Sequence, residues 1–172
     1  LCSTGGRVMI STDGGSKFQT YYLRALVPGY QGFNYSVVWA DNDTIFVTST
    51  AELAGAVRVA KGTFDGASWN FVRSDSGLPD VSIQRVVADT GDAGGKTLYA
   101  ATDVGVYHSS NGGATWAPLG KGFPNVRVSD IYIPPNGNLR VATYGRGIWE
   151  LPSFTLKKTR VADDGPGADH NG

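Results

Sequence analysis

The feature that most constrains this chain is a repeat of itself at a period of about 50 residues. Three turn segments carry it: Ser11-Thr-Asp13-Gly-Gly15-Ser-Lys-Phe18, Thr63-Phe-Asp65-Gly-Ala-Ser-Trp69 and Ser109-Ser-Asn111-Gly-Gly113-Ala-Thr-Trp116. The acidic or amide position steps from 13 to 65 (52 residues) and from 65 to 111 (46 residues). Other segments repeat in step. Val37-Val-Trp-Ala-Asp41 matches Arg85-Val-Val-Ala-Asp89, and Ile45–Ser49 matches Leu98–Thr102 and Leu139–Thr143. Gly105-Val-Tyr-His108 matches Gly147-Ile-Trp-Glu150. One repeat is therefore a supersecondary unit that buries its apolar faces against its neighbours.

Each unit holds four short β-branched or aromatic runs punctuated by Gly, Asn, Asp and Pro, which predicts four strands joined by tight turns. The expected fold is all-β, a β-propeller of four-stranded antiparallel blades. Blade parts are expected at 5–24, 35–74, 82–119 and 127–151, giving two complete and two partial blades within 1–152. Val8–Ser11 and Phe18–Leu23 are read as the last two strands of the first unit. Val86/Ala88, Leu98/Ala100 and Val141/Thr143 are expected at blade interfaces, with Trp69, Trp116 and Trp149 covering them. Rings of this kind typically take four to eight blades. The remaining blades are thus expected from the same or another chain, since an open ring leaves strand edges unpaired. Residues 153–172 read as a tail or linker towards a further module.

Composition agrees and excludes several functions. Glycine is 24 of 172 residues, about 14% against a usual level of about 7%. Glutamate occurs only at Glu52 and Glu150, so a strong helix former is scarce. Lys+Arg and Asp+Glu are 15 each, which leaves no electrostatic footprint for nucleic acid. No apolar run reaches the roughly 18 residues of a membrane span. The single Cys2 forms no internal disulfide, and His108 and His170 are too few and too far apart for zinc. No cofactor is expected. Asp163, Asp164, Asp169 and Asn171 loosely match calcium-loop spacing but lack a closing glutamate, and read as a solvated linker.

The segment Ser109–Trp116 resembles an Asp-box, also called a BNR repeat; the first copy matches through Ser11, Asp13, Gly15 and Ser16, and the second retains Asp65, Gly66, Ser68 and Trp69. Thr143-Tyr-Gly-Arg-Gly-Ile-Trp149 resembles the last blade of secreted bacterial members. The resemblance implies a secreted or cell-surface protein, and the family includes sialidases, xyloglucan-cleaving endoglucanases and sortilin-type receptors. It also implies that the box residues Ser11, Asp13, Gly15, Phe18, Asp65, Trp69, Ser109, Asn111, Gly113 and Trp116 are structural, on peripheral hairpins. An Asx side chain holds such a turn by accepting backbone N–H bonds.

The opposite face gathers the other loops. Tyr30, Phe33, Tyr35 and Tyr144 are read there as exposed aromatics, beside Glu52, Asp80, Asp103 and Arg146. Rings beside carboxylates suit a sugar polymer, whose C–H faces stack while its hydroxyls hydrogen-bond. Thr102-Asp103-Val-Gly-Val-Tyr107 is similar to the stretch carrying a catalytic aspartate in xyloglucan-cleaving enzymes, with Val106 replacing a glycine. Asp103 is the catalytic candidate, with Glu52 as a weaker second carboxylate. The alternative for Asp103 is a loop residue bonding its own backbone. Arg146 is expected between two permissive glycines, bonding carbonyls of a neighbouring blade. Two functions follow: a module that binds polysaccharide or a protein partner, or a glycoside hydrolase acting on a β-glucan-like polymer.

Overall fold

The computed structural model describes residues 2–3, 5–92, 94–120, 123–134 and 137–152. Four antiparallel sheets follow one another along the chain, each a meander of consecutive strands. The first holds β1 (Cys2–Ser3), β2 (Arg7–Ile10) and β3 (Gln19–Tyr22), followed by the single helical turn α1 (Leu23–Leu26). The second holds β4 (Asn34–Asp41), β5 (Thr44–Ser49), β6 (Val59–Phe64) and β7 (Trp69–Arg73). The third holds β8 (Ile83–Ala88), β9 (Leu98–Thr102), β10 (Gly105–Ser109) and β11 (Ala117–Pro118). The fourth holds β12 (Val128–Tyr132), β13 (Asn138–Thr143) and β14 (Ile148–Pro152). Among the described residues no helix is long and apolar enough to cross a membrane.

The sheets stack face to face in chain order, and the period-2 alternation of a strand explains how. In β5, Ile45 and Val47 point to the first sheet while Phe46 points to the third. In β9, Leu98 and Ala100 point to the second sheet while Tyr99 and Ala101 point to the fourth. Strands covered on both faces read as continuous apolar runs, and β9 is buried at every position. Each large side chain so enclosed contributes on the order of 1.5–3 kcal/mol. Three clusters result, one per junction. Val86, Ala88, Leu98 and Ala100 lie in the second and Val141 in the third. Thr143 instead donates its hydroxyl to Gly147 O at 2.7 Å.

The outermost faces differ from the junctions and from each other. Phe18 and Tyr22 are about half exposed on the first sheet. On the fourth, the register of β13 puts Arg140 where β5 has Phe46 and β9 has Tyr99. Arg140 pairs there with Glu150 at 3.3 Å.

Three details depart from the sequence reading. The short strand β1 precedes the two strands expected in the first unit, and Leu23 opens α1 rather than ending a strand. Pairing equates Trp39 (opposite Ile45) with Ala88 (opposite Leu98), not with Val87, because a bulge between Trp39 and Asp41 absorbs one residue. Bulges recur at the start of β4, β8 and β12, with Gln84 as the extra residue between Ile83 and Arg85. The tail 153–172, with its acidic run, lies outside the described residues.

Candidate functional site

Alternation of hairpins sorts the turns to two ends of the stack. At the hairpin end lie the three turns of the sequence repeat. Two of them share one network. Ser109 Oγ donates to Asn111 Oδ1 at 2.8 Å and accepts Gly113 N–H at 3.0 Å, while Asn111 Oδ1 also accepts Thr115 N–H at 2.9 Å. The same roles fall to Ser11, Asp13, Gly15 and Lys17 at 2.8–2.9 Å. These bonds hold the Asp13 carboxyl below its ordinary range, the Lys17 N–H first and Ser11 second. The middle turn is shorter: Phe64 already pairs with Trp69, and Asp65 Oδ1 accepts Ala67 and Ser68 N–H at 2.9 and 2.8 Å. Each closing tryptophan packs on the preceding sheet, Trp69 on the first and Trp116 on the second. Phe18, which has no described sheet beneath it, stays exposed together with Asp13.

The loop end carries the residues read as a binding or catalytic face. Glu52 sits on the β5–β6 loop, which a buried cation holds in place. Arg58, 2% exposed, donates Nη1 to Ala56 O at 2.7 Å and Nη2 to Leu53 O at 2.8 Å. Its Nη2 also meets Asp80 at 2.8 Å. Asp75 accepts Arg58 N–H at 2.7 Å and pairs with Arg73 at 2.5 Å. Glu52 Oε1 accepts the hydroxyl of Ser82 at 3.1 Å.

Asp103 lies on the β9–β10 turn and does not bond its own backbone. Thr102 closes that turn instead, donating to Gly105 O at 2.8 Å and accepting Val104 N–H at 3.1 Å. Asp103 Oδ1 accepts Gln84 Nε2 at 3.0 Å and meets Arg127 Nε at 3.2 Å. Ser82 and Gln84, which flank Ile83 at the start of β8, thus anchor both carboxylates to one stretch of chain.

The aromatic residues divide. Phe33 and Tyr35 are each 56% exposed and Tyr144 is 76% exposed, and the Arg24 guanidinium stands 5.9 Å over the Phe33 ring. Tyr30 corrects the sequence reading: it is buried, part of the first core cluster, and its hydroxyl donates to Asn34 Oδ1 at 2.5 Å. Arg146 is exposed, and its side chain bonds no carbonyl among the described residues; its own carbonyl accepts Trp149 Nε1 at 3.0 Å. Ser82, Gln84, Arg127 and Arg58 were not found from sequence, because nothing in a one-residue bulge or a single buried arginine marks the pattern. Among the described residues no group of three or more His, Cys, Asp or Glu side chains is placed to hold a metal.

Neither the protein-family models nor the curated proteins include a match to this chain. A solved structure does: the chain is similar to an ancestral GH74 enzyme, with a TM-score of 0.50 and 24% identity over 69% of this chain. The match spans 14% of that enzyme's chain. The likeness shows the fold, all-β and propeller-like, and the four stacked antiparallel sheets agree with it.

Proposed function

We propose that this protein is an extracellular, bacterial cell-surface or secreted module that binds polysaccharide on its loop end. The observation that carries the reading is the exposure of Phe33, Tyr35 and Tyr144 at the end that also presents Glu52, Asp103, Arg127 and Arg146. Half-exposed rings next to hydrogen-bonding side chains supply both kinds of contact a sugar chain offers. Arg58 and Ser82 support it by fixing the Glu52 loop before any ligand arrives, which lowers the ordering cost of binding. Affinity electrophoresis in gels containing xyloglucan, mixed-linkage β-glucan or mannan tests this. Retardation by one polymer, lost in Tyr144→Ala, is expected. Unretarded migration in all three gels would point to a protein ligand on the same face instead.

A second reading is a glycoside hydrolase, favoured by the similarity to a GH74 enzyme. Asp103 would be one catalytic carboxylate, with Glu52 or an acid outside this chain as the other. Such pairs need a separation of about 5–9.5 Å. Reducing-sugar release from xyloglucan, abolished by Asp103→Asn with binding retained, would favour this reading over the first.

A further inference from the structure

We infer that the cavity at the hairpin end of the junction between the first two sheets is a binding site for an uncharged saccharide. It lies at the opposite end from the loops discussed above and does not depend on them. Its volume is about 580 Å³, and Trp39, Phe64 and Trp69 line it with Asp41, Asn42 and Asp43. That volume falls within the range of roughly 300–1,000 Å³ usual for small-molecule sites.

The cavity sits where the repeat breaks its own rules. The corresponding position to Trp39 in the third sheet is Ala88, which is buried in the second core cluster. The turn beside it is the shortened one at 65–68, not the longer turn of the other two copies. Sites where a sequence departs from its own local consistency are where function is to be sought. Trp39 is held as a platform although 51% exposed: its ring meets Trp69 edge-on at 5.5 Å, and Trp69 meets Phe64 at 5.5 Å. The turn bearing the acids is fixed as well, since Asp41 Oδ1 accepts Asp43 N–H at 2.9 Å and Asp43 O accepts Phe64 N–H at 2.8 Å.

Trp116 and Trp149 both place their indole N–H on a carbonyl, but Trp69 Nε1 is buried with no partner among the described residues, in a residue only 5% exposed. That N–H is closed to the cavity, so a ligand there meets the Trp69 ring and donates to Asp41, Asp43 and the Asn42 carbonyl. A hydroxyl supplies that donor. A quaternary ammonium would suit the rings and acids, but its nitrogen has no hydrogen to donate to the oxygens of Asp41, Asn42 and Asp43. An anion would face two carboxylates with no lysine or arginine in the lining. A pyranose fits the rings and the acceptors together, with C–H bonds on the Trp39 face and hydroxyls at its edge.

The test is a calorimetric titration of the 172-residue protein with cellotriose, xylotriose and mannotriose, with choline chloride and sodium phosphate as contrasting probes. Binding of at least one trisaccharide is expected, weakened about tenfold or more by Trp39→Ala and by a smaller factor by Asp43→Ala. Both side chains are exposed, and that of Asp43 makes no hydrogen bond among the described residues, so this variant keeps the fold even if Trp39→Ala does not. The losses caused by Trp39→Ala and Asp43→Ala should recur in a Tyr144→Ala background, which separates this site from the loop end. The inference is overturned if no trisaccharide binds, if choline binds in their place, or if Asp43→Ala and a folded Trp39→Ala both bind as the parent does. Loss of binding in Tyr144→Ala with retention in Trp39→Ala would assign the saccharide to the loop end and likewise remove the second site.

Discussion

The indole N–H of Trp116 donates to the carbonyl of Ser74 at 2.8 Å, and this bond ties the third sheet to the residue that follows the last strand of the second. Both residues are buried, so the carbonyl has no water to turn to. Trp116→Phe should keep most of the apolar contact and still cost about 1–2 kcal/mol, the penalty for an abandoned buried acceptor. Trp149→Phe removes a similar bond to Arg146 O, on an exposed turn, and should cost clearly less. Chemical denaturation of the two variants makes the comparison.

Gly15 and Gly113 hold equivalent places, with φ of +93° and +81°. A Cβ on Gly113 would stand 2.5 Å from Ser74 Oγ and 2.8 Å from Phe46 Cε1, whereas one on Gly15 meets only Phe18 at 4.0 Å. Gly15→Ala should therefore show backbone strain alone, on the order of 1 kcal/mol. Gly113→Ala adds overpacking at a sheet junction, for about 2–4 kcal/mol in total. Equal losses for the two would show that the second sheet yields freely beneath the turn.

Acid should separate the two equivalent turns. Asp13 is held below its ordinary value of 3.8 by Lys17 N–H and Ser11, Asp65 by Ser68 and Ala67 N–H, and Asp92 by Thr97 and Gly94. A depressed carboxyl contributes its stabilisation fully above the ordinary value and loses it as pH falls through the depressed one. The turns at 11–18 and 65–68 should loosen below 3.8, while the turn at 109–116, built on the amide of Asn111, should not. Amide exchange of Lys17 and Thr115 between neutral pH and about 3 is the readout, and Asn111→Asp should transfer the acid sensitivity to Thr115.

Arg58 is enclosed and bonded to Ala56 O, Leu53 O and Asp80. Replacing it by Ala should cost about 3 kcal/mol or more, through lost packing and two stranded carbonyls. Arg58→Met should recover the packing but not the loop. Proteolysis near Glu52 would then rise in both variants, although only the first loses much thermal stability.

Much of the architecture was legible because a repeat states each strand several times. The runs Ile45–Val47 and Leu98–Ala101 are apolar at every position, as strands covered on both faces must be, and they lie in β5 and β9. What stayed hidden was local. One bulged residue shifts Trp39 from the place of Val87 to that of Ala88, and no period in the sequence records it. Tyr30 looked exposed because it lies among Gly, Pro and Gln, yet its ring belongs to the core and only its hydroxyl needed a polar partner, Asn34. Glu52 and Asp103 were visible as acids in loops. Their partners Ser82, Gln84 and Arg127 were not, since Ser82 and Arg127 reach across from a neighbouring sheet and Gln84 is placed by a bulge.

The two terminal faces give the stack a direction. A further sheet grafted onto the first would cover Phe18 and Tyr22, trading exposed rings for contact much as Trp69 and Trp116 do at the internal junctions. Grafted onto the fourth, it would have to dehydrate the Arg140–Glu150 pair, a penalty of several kcal/mol per ion before any gain. Lengthening this protein by duplicating one of its own units is therefore an operation with a preferred side, and a designer adding a sheet to the last face would first exchange Arg140 and Glu150 for apolar residues.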